Sequence, residues 1–165
     1  MNWTIYIVEC IASVILFTCA IMIPLCRNPV WWIHDYPKDI QEKYFETHER
    51  IPSQPVSAPA LIKKGLALLV CLGVLAALML LAGARSFLSA FLASYGLWLI
   101  VDWYDCFFLD WILFANLKRV RLPGTEQMDE AYHQKTYHFV HSAIGMALGI
   151  VPCLLCGWII MLIQR

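Results

Sequence analysis

Four long apolar blocks constrain this chain more than any other feature. They run over about residues 3–25, 61–84, 86–112 and 139–163. Each supplies the roughly 20 apolar residues that a helix needs to cross a bilayer. Hydrocarbon offers no water to the backbone, and a helix satisfies its own N–H and C=O groups within each segment. The blocks therefore predict an all-α fold: a four-helix transmembrane bundle forming a single integral membrane domain over residues 1–165. The chain is 61% hydrophobic, whereas soluble domains sit at about 45–50%. Its length leaves no room for a separate soluble catalytic unit.

The charged residues separate into two sides. Arg27, Lys38, Lys43, Arg50, Lys63 and Lys64 fall between or beside the first two blocks, and Lys118, Arg119, Arg121 and Lys135 between the last two. The remaining bases are Arg85 in the tight link and Arg165 at the C-terminus. The positive-inside rule then makes loops 26–60 and 113–138 cytoplasmic and puts both termini outside, with the cell (inner) membrane as the expected location. The first block is read as a retained span, because it lacks a basic leader and outruns a signal-peptide core. Formal charge is zero, so nucleic acid is not an expected partner. The lipid bilayer is; a membrane-protein partner or a homo-oligomer is the further alternative.

The first loop carries its own pattern. Trp31 and Trp32 suit a membrane interface. Pro37 and Asp39 favour a helix start, and Lys38/Glu42, Asp39/Lys43 and Glu46/Arg50 are opposite charges four apart. With Ile40, Tyr44 and Phe45 on one side, this predicts a cytoplasmic amphipathic surface helix lying on the membrane. Pro52, Pro55 and Pro59 predict an extended connector. In the second loop, Leu122-Pro123-Gly124 predicts a turn. Asp129 is expected to cap a helix that runs through Tyr132 and His138 directly into the last span. Gly145 and Gly149, and the Ser86, Ala90, Ser94 stripe, predict close helix approach, within the chain or between copies.

The chemistry concentrates in the third and fourth blocks. The stretch Ser86–Asn116 contains Asp102, Asp105 and Asp110 and no Lys, Arg or His. A carboxylate in hydrocarbon must be neutral, paired or facing a polar cavity. On ideal α-helices, Asp102 and Asp105 lie roughly 60° apart, with Asp110 further round. Glu130, His133, Tyr137, His138 and His141 share an arc of roughly 140°. If the two spans are antiparallel neighbours, Asp110 comes level with His138 and Asp105 with His141. Asp102, Asp105, Asp110, His138 and His141 are thus candidate ligands of a divalent metal (zinc, iron or manganese), with Glu130, His133 and Tyr137 around them. The same groups suit a proton relay. The alternative is a non-catalytic membrane subunit or scaffold whose aspartates fix helix packing. Glu9, near the outer face, is expected to be hydrated or helix-capping.

The seven cysteines all lie in or beside apolar blocks, where small buried hydrophobes are expected. Cys153-Leu-Leu-Cys156 in a four-span protein resembles quinone-linked thiol oxidoreductases related to vitamin K epoxide reductase, which implies thiol-redox chemistry as a third alternative. The second cysteine pair of those enzymes is absent from the loops. Asp105, Asp110-Trp111, Leu122-Pro-Gly-Thr-Glu126 and Tyr137-His-Phe139 resemble small bacterial four-span membrane proteins of unknown function. The likeness covers about residues 100–145. It implies a membrane location and no activity. No phosphate-binding glycine loop and no His-Glu-x-x-His helix occurs.

Overall fold

The computed structural model describes residues 1–52 and 57–164. They are helical, with no strand among them. The elements are α1 (Trp3–Arg27), a 3-10 helix (Pro29–Asp35), α2 (Lys38–Phe45), α3 (Ala58–Leu81), α4 (Phe87–Tyr104), a π-helical segment (Asp105–Phe114), a 3-10 turn (Lys118–Val120), α5 (Asp129–Tyr132) and α6 (Lys135–Ile163).

Three stretches are long and apolar enough to cross a membrane: Trp3–Arg27, Ala58–Leu81 and Asp129–Ile163. Only 17%, 22% and 33% of their most apolar windows are buried inside the protein. Side chains such as Leu16, Ile62 and Leu148 therefore point outward, a surface suited to lipid rather than water. The expected crossing over 86–112 is helical as well, but it changes from α to π winding at Asp105.

Local signals explain the helix ends. Ser57 caps α3, accepting from the Ala60 N–H at 3.4 Å, and Pro59 occupies the first turn, where a missing N–H costs nothing. Pro59 is thus part of the helix and not of an extended connector, while Pro55 lies outside the described residues. Gly83 ends α3 in the left-handed region at φ +79°. There the Ala84 N–H reaches Met79 O at 2.9 Å and the Gly83 N–H reaches Leu80 O at 3.0 Å. Ser86 and Ser89 cap α4 reciprocally, each accepting the other's backbone N–H.

The described residues form two compact units. The first comprises Met1–Val14, Pro55–Asp102 and Ile144–Arg165; the second, Ile15–Gln54 and Trp103–Ala143. In the first, Cys10, Leu75, Met79, Ala90, Leu97 and Ile160 form the core. The small residues work inside this unit. The Tyr6 hydroxyl donates to Ala93 O at 2.9 Å, over Gly96. The Trp98 indole donates to Gly145 O at 3.2 Å and fills the space that a Cβ on Gly149 would need. Glu9 corrects the expectation of a hydrated or capping side chain. It is 7% exposed, and neither carboxyl oxygen has a hydrogen-bond partner.

The second unit is built on aromatic packing. Tyr36 meets Phe114 at 5.0 Å and Tyr132 at 6.2 Å, both edge-on. Ile33, Ile40, Val120 and Leu122 complete the core. α2 forms where its charge pattern predicts, but Ile40 and Tyr44 are buried in this core, so its apolar side faces protein rather than membrane. Lys43 pairs with Glu46 at 2.7 Å, and Asp39 accepts from the Gln134 amide at 2.9 Å. Leu122-Pro123-Gly124-Thr125 makes the predicted turn: Gly124 takes φ +80°, and the Thr125 N–H donates to Leu122 O at 3.1 Å. Tyr132 accepts the Leu122 N–H at 2.9 Å and pairs with the Thr125 hydroxyl at 2.7 Å, which locks the turn against α5.

The helix expected to run unbroken from Asp129 is interrupted. α5 ends at Tyr132, and α6 begins at Lys135 after a turn through His133 and Gln134. Met128, not Asp129, occupies the cap position, and Asp129 instead pairs with Arg121.

Candidate functional site

A cavity of about 330 Å³ opens in the second unit. It gathers the ionisable side chains His34, Asp35, Asp105, Asp110, His138 and His141. Three segments supply them: the 3-10 helix after α1, the π-helical segment, and the first two turns of α6.

The π winding explains why two aspartates meet in one cavity. In an α-helix, residues five apart point roughly 140° from each other. A π-helix bonds residue i to i+5, so residues five apart come nearly one above the other. The Ala115 N–H donates to Asp110 O, the i+5 pattern at the segment's end. Asp105 and Asp110 therefore share a face, where ideal α geometry would set Asp110 well round from Asp105. π segments in helices often accompany functional sites.

On α6, His138 is the buried member, 6% exposed. Its Nδ1 lies 3.1 Å from Asp110 Oδ2. A carboxylate can only accept, so Nδ1 carries a hydrogen, and in the neutral ring Nε2 presents a lone pair. That Nε2 is buried and has no hydrogen-bond partner. Phe114 and Tyr137 hold the ring edge-on at 5.2 and 5.3 Å. One turn on, His141 is exposed, and its Nδ1 donates to Tyr137 O at 2.8 Å. In the neutral ring its Nε2 is likewise left to accept.

The opposite wall comes from the short 3-10 helix. Asn28 starts it, accepting the Val30 N–H at 3.2 Å. Tyr36 anchors its end: the ring is buried, and its hydroxyl donates to Val120 O at 2.5 Å. The Tyr36 carbonyl accepts from Gln41 at 2.7 Å and from the Tyr137 hydroxyl at 3.2 Å, tying this wall to α2 and α6. Asp35 stands at the rim. The protein packed around its carboxyl raises its pKa above the ordinary carboxylate value, against the opposite pull of His34 and His141.

The remaining candidates are placed differently. Asp102 belongs to the first unit, where its Oδ1 would lie 3.0 Å from a Cβ on Gly145. Glu130 and His133 are exposed and do not continue the α6 arc, because the helix breaks between them and Lys135. Among the described residues, no group of three or more His, Cys, Asp or Glu side chains is arranged to hold a metal ion. Cys153 and Cys156 are fully buried free thiols in the first unit, and the helix continues unbroken through Pro152.

Sequence reasoning singled out neither His34 nor Asp35 as a site residue. The available signal was an adjacent His-Asp pair in the loop after the first apolar block, followed by an aromatic residue. Comparison with family models, curated proteins and solved structures found no match.

Proposed function

We propose that this is a four-span membrane protein whose cytoplasm-facing cavity handles protons, with His138 as the group that takes and releases them. One observation carries the reading. A buried imidazole is held by Asp110 through Nδ1 and leaves Nε2 with no partner. An unsatisfied buried polar atom costs about 1–3 kcal/mol. That cost has a purpose if Nε2 accepts a proton. Asp110, 3.1 Å from Nδ1, is placed to stabilise the imidazolium that results. Asp35, Asp105 and His141 then offer further proton acceptors within the same cavity.

The charge pattern supports the membrane orientation. The π-helical segment, which aligns two carboxylates with α6, supports a built site rather than chance polar residues at an interface. A divalent metal is less well supported, since closed metal sites need at least three converging donors. The full burial of Cys153 and Cys156 does not favour thiol chemistry.

The test is proton movement across vesicles. Purified protein is reconstituted with a trapped pH-sensitive dye, and the decay of an imposed pH gradient is followed. The wild type should speed the decay, His138→Gln and Asp110→Asn should abolish the effect, and His133→Gln should leave it unchanged. Wild-type vesicles no leakier than empty ones would refute the reading, as would equal rates for wild type and His138→Gln.

A further inference from the structure

We infer that the same cavity is a receptor for a small organic cation, specifically a primary ammonium compound. The inference rests on the reading of the cavity as the functional site and adds the chemical class of its occupant.

The first argument is charge. The lining contains the carboxylates of Asp35, Asp105 and Asp110 and no lysine or arginine. The guanidinium of Arg121, in the same unit, is committed elsewhere: it pairs with Asp129 and lies 4.9 Å over the Tyr132 ring. With the carboxylates ionised and the histidines neutral, the cavity holds negative charge and favours a cation.

The second is the hydrogen-bond demand of His138. In the neutral ring Asp110 sets the tautomer, and the buried, unpartnered Nε2 then asks for a donor. A carboxylate or phosphate ligand would bring an acceptor to a lone pair and to three carboxylates. A primary ammonium brings three donors and a positive charge. A quaternary ammonium brings the charge without the donors.

The third is the remaining wall. Trp32, Tyr36, Phe114 and Tyr137 contribute rings, and Ile21 and Leu25 aliphatic surface. Aromatic faces attract cations, and apolar side chains cover a hydrocarbon tail. A cavity of about 330 Å³ holds roughly ten water-sized groups at about 30 Å³ each. That is room for an amine of a few to about ten non-hydrogen atoms. An ammonium also fits where a metal ion does not, because it needs no closed shell of three or more side-chain ligands.

The test uses the full chain in nanodiscs, with histidine-selective isotope labelling, titrated with n-butylammonium at a pH where the histidines are neutral. n-Butanol, butyrate and tetramethylammonium serve as comparisons. The expected result is a saturable shift of the His138 Nε2 signal by n-butylammonium, with weaker or no response to the other three. Asp35→Asn, at the exposed rim, should weaken binding about tenfold, the loss of one charge-assisted contact. Asp110→Asn should weaken it further if that variant folds. Butyrate or n-butanol binding as well as n-butylammonium would overturn the inference, as would no saturable shift with n-butylammonium. The two readings fail separately. If proton movement in vesicles persists without ammonium binding, the ligand class is wrong and the proton site stands. Ammonium binding without proton movement has the opposite meaning.

Discussion

Replacing Tyr36 by Phe removes one oxygen from the wall of the cavity and nothing else. The ring keeps its packing on Phe114 and Tyr132, so the aromatic contribution is unchanged. What is lost is the hydrogen bond to Val120 O, 2.5 Å long and between two residues that are 1% and 0% exposed. A buried carbonyl left without its donor costs about 1–3 kcal/mol. For a chain of this size each kcal/mol moves the thermal midpoint by about 2–4 °C. Tyr36→Phe should therefore lower Tm by roughly 2–12 °C. Thermal unfolding of detergent-purified protein, followed by near-ultraviolet circular dichroism, reads this directly. Tyr137→Phe is the matched control. Its hydroxyl reaches Asp35 O and Tyr36 O at 3.3 and 3.2 Å, and the second of these keeps Gln41 as a donor, so its loss should sit at the low end of the range. The reasoning fails if Tyr36→Phe is as stable as wild type, or if Tyr137→Phe is the more damaging change.

The raised pKa of Asp35 fixes the sign of a second effect. The folded state holds this proton more tightly than the unfolded chain, so the wild type loses stability as pH climbs from the ordinary carboxylate range through the raised value. Asp35→Asn should then be more stable than wild type at neutral pH and equal to it in acid; a variant less stable at neutral pH contradicts this. Gly149→Ala places a methyl group inside the space of the Trp98 indole and should destabilise by about 1–3 kcal/mol, read by urea or thermal unfolding in detergent. Cys153 and Cys156, both fully buried, should resist a water-soluble maleimide until the protein is unfolded; rapid labelling of the folded protein would reopen the redox alternative.

Much of the second unit was legible because its signals are local. Pro123-Gly124 specifies a turn wherever it occurs, and the charges and apolar spacing from Lys38 to Phe45 specify a helix. Asp110 and His138 could be set at one depth from the length of two apolar blocks and the loop between them; the structure brings them to 3.1 Å. The rest depended on geometry that no spacing announces. The π winding from Asp105 shifts every later side chain relative to an ideal helix, and no glycine or proline marks it. The break falls just after Tyr132, whose hydroxyl is tied to Leu122 and Thr125, contacts made by the fold and not by the helix sequence. Glu9 looked like a surface residue because it lies near the chain's beginning. It is 7% exposed all the same. His34 and Asp35 were overlooked because a loop has no periodicity to say which side chains face inward.

The account stands on the state of one ring, and histidine ring-nitrogen NMR of the full chain in nanodiscs reports it. At alkaline pH His138 should show a protonated Nδ1, hydrogen-bonded and altered in Asp110→Asn, with Nε2 bare; on acidification the new proton should appear on Nε2. A ring carrying its hydrogen on Nε2 at alkaline pH, or one indifferent to Asp110→Asn and to acid, would contradict it.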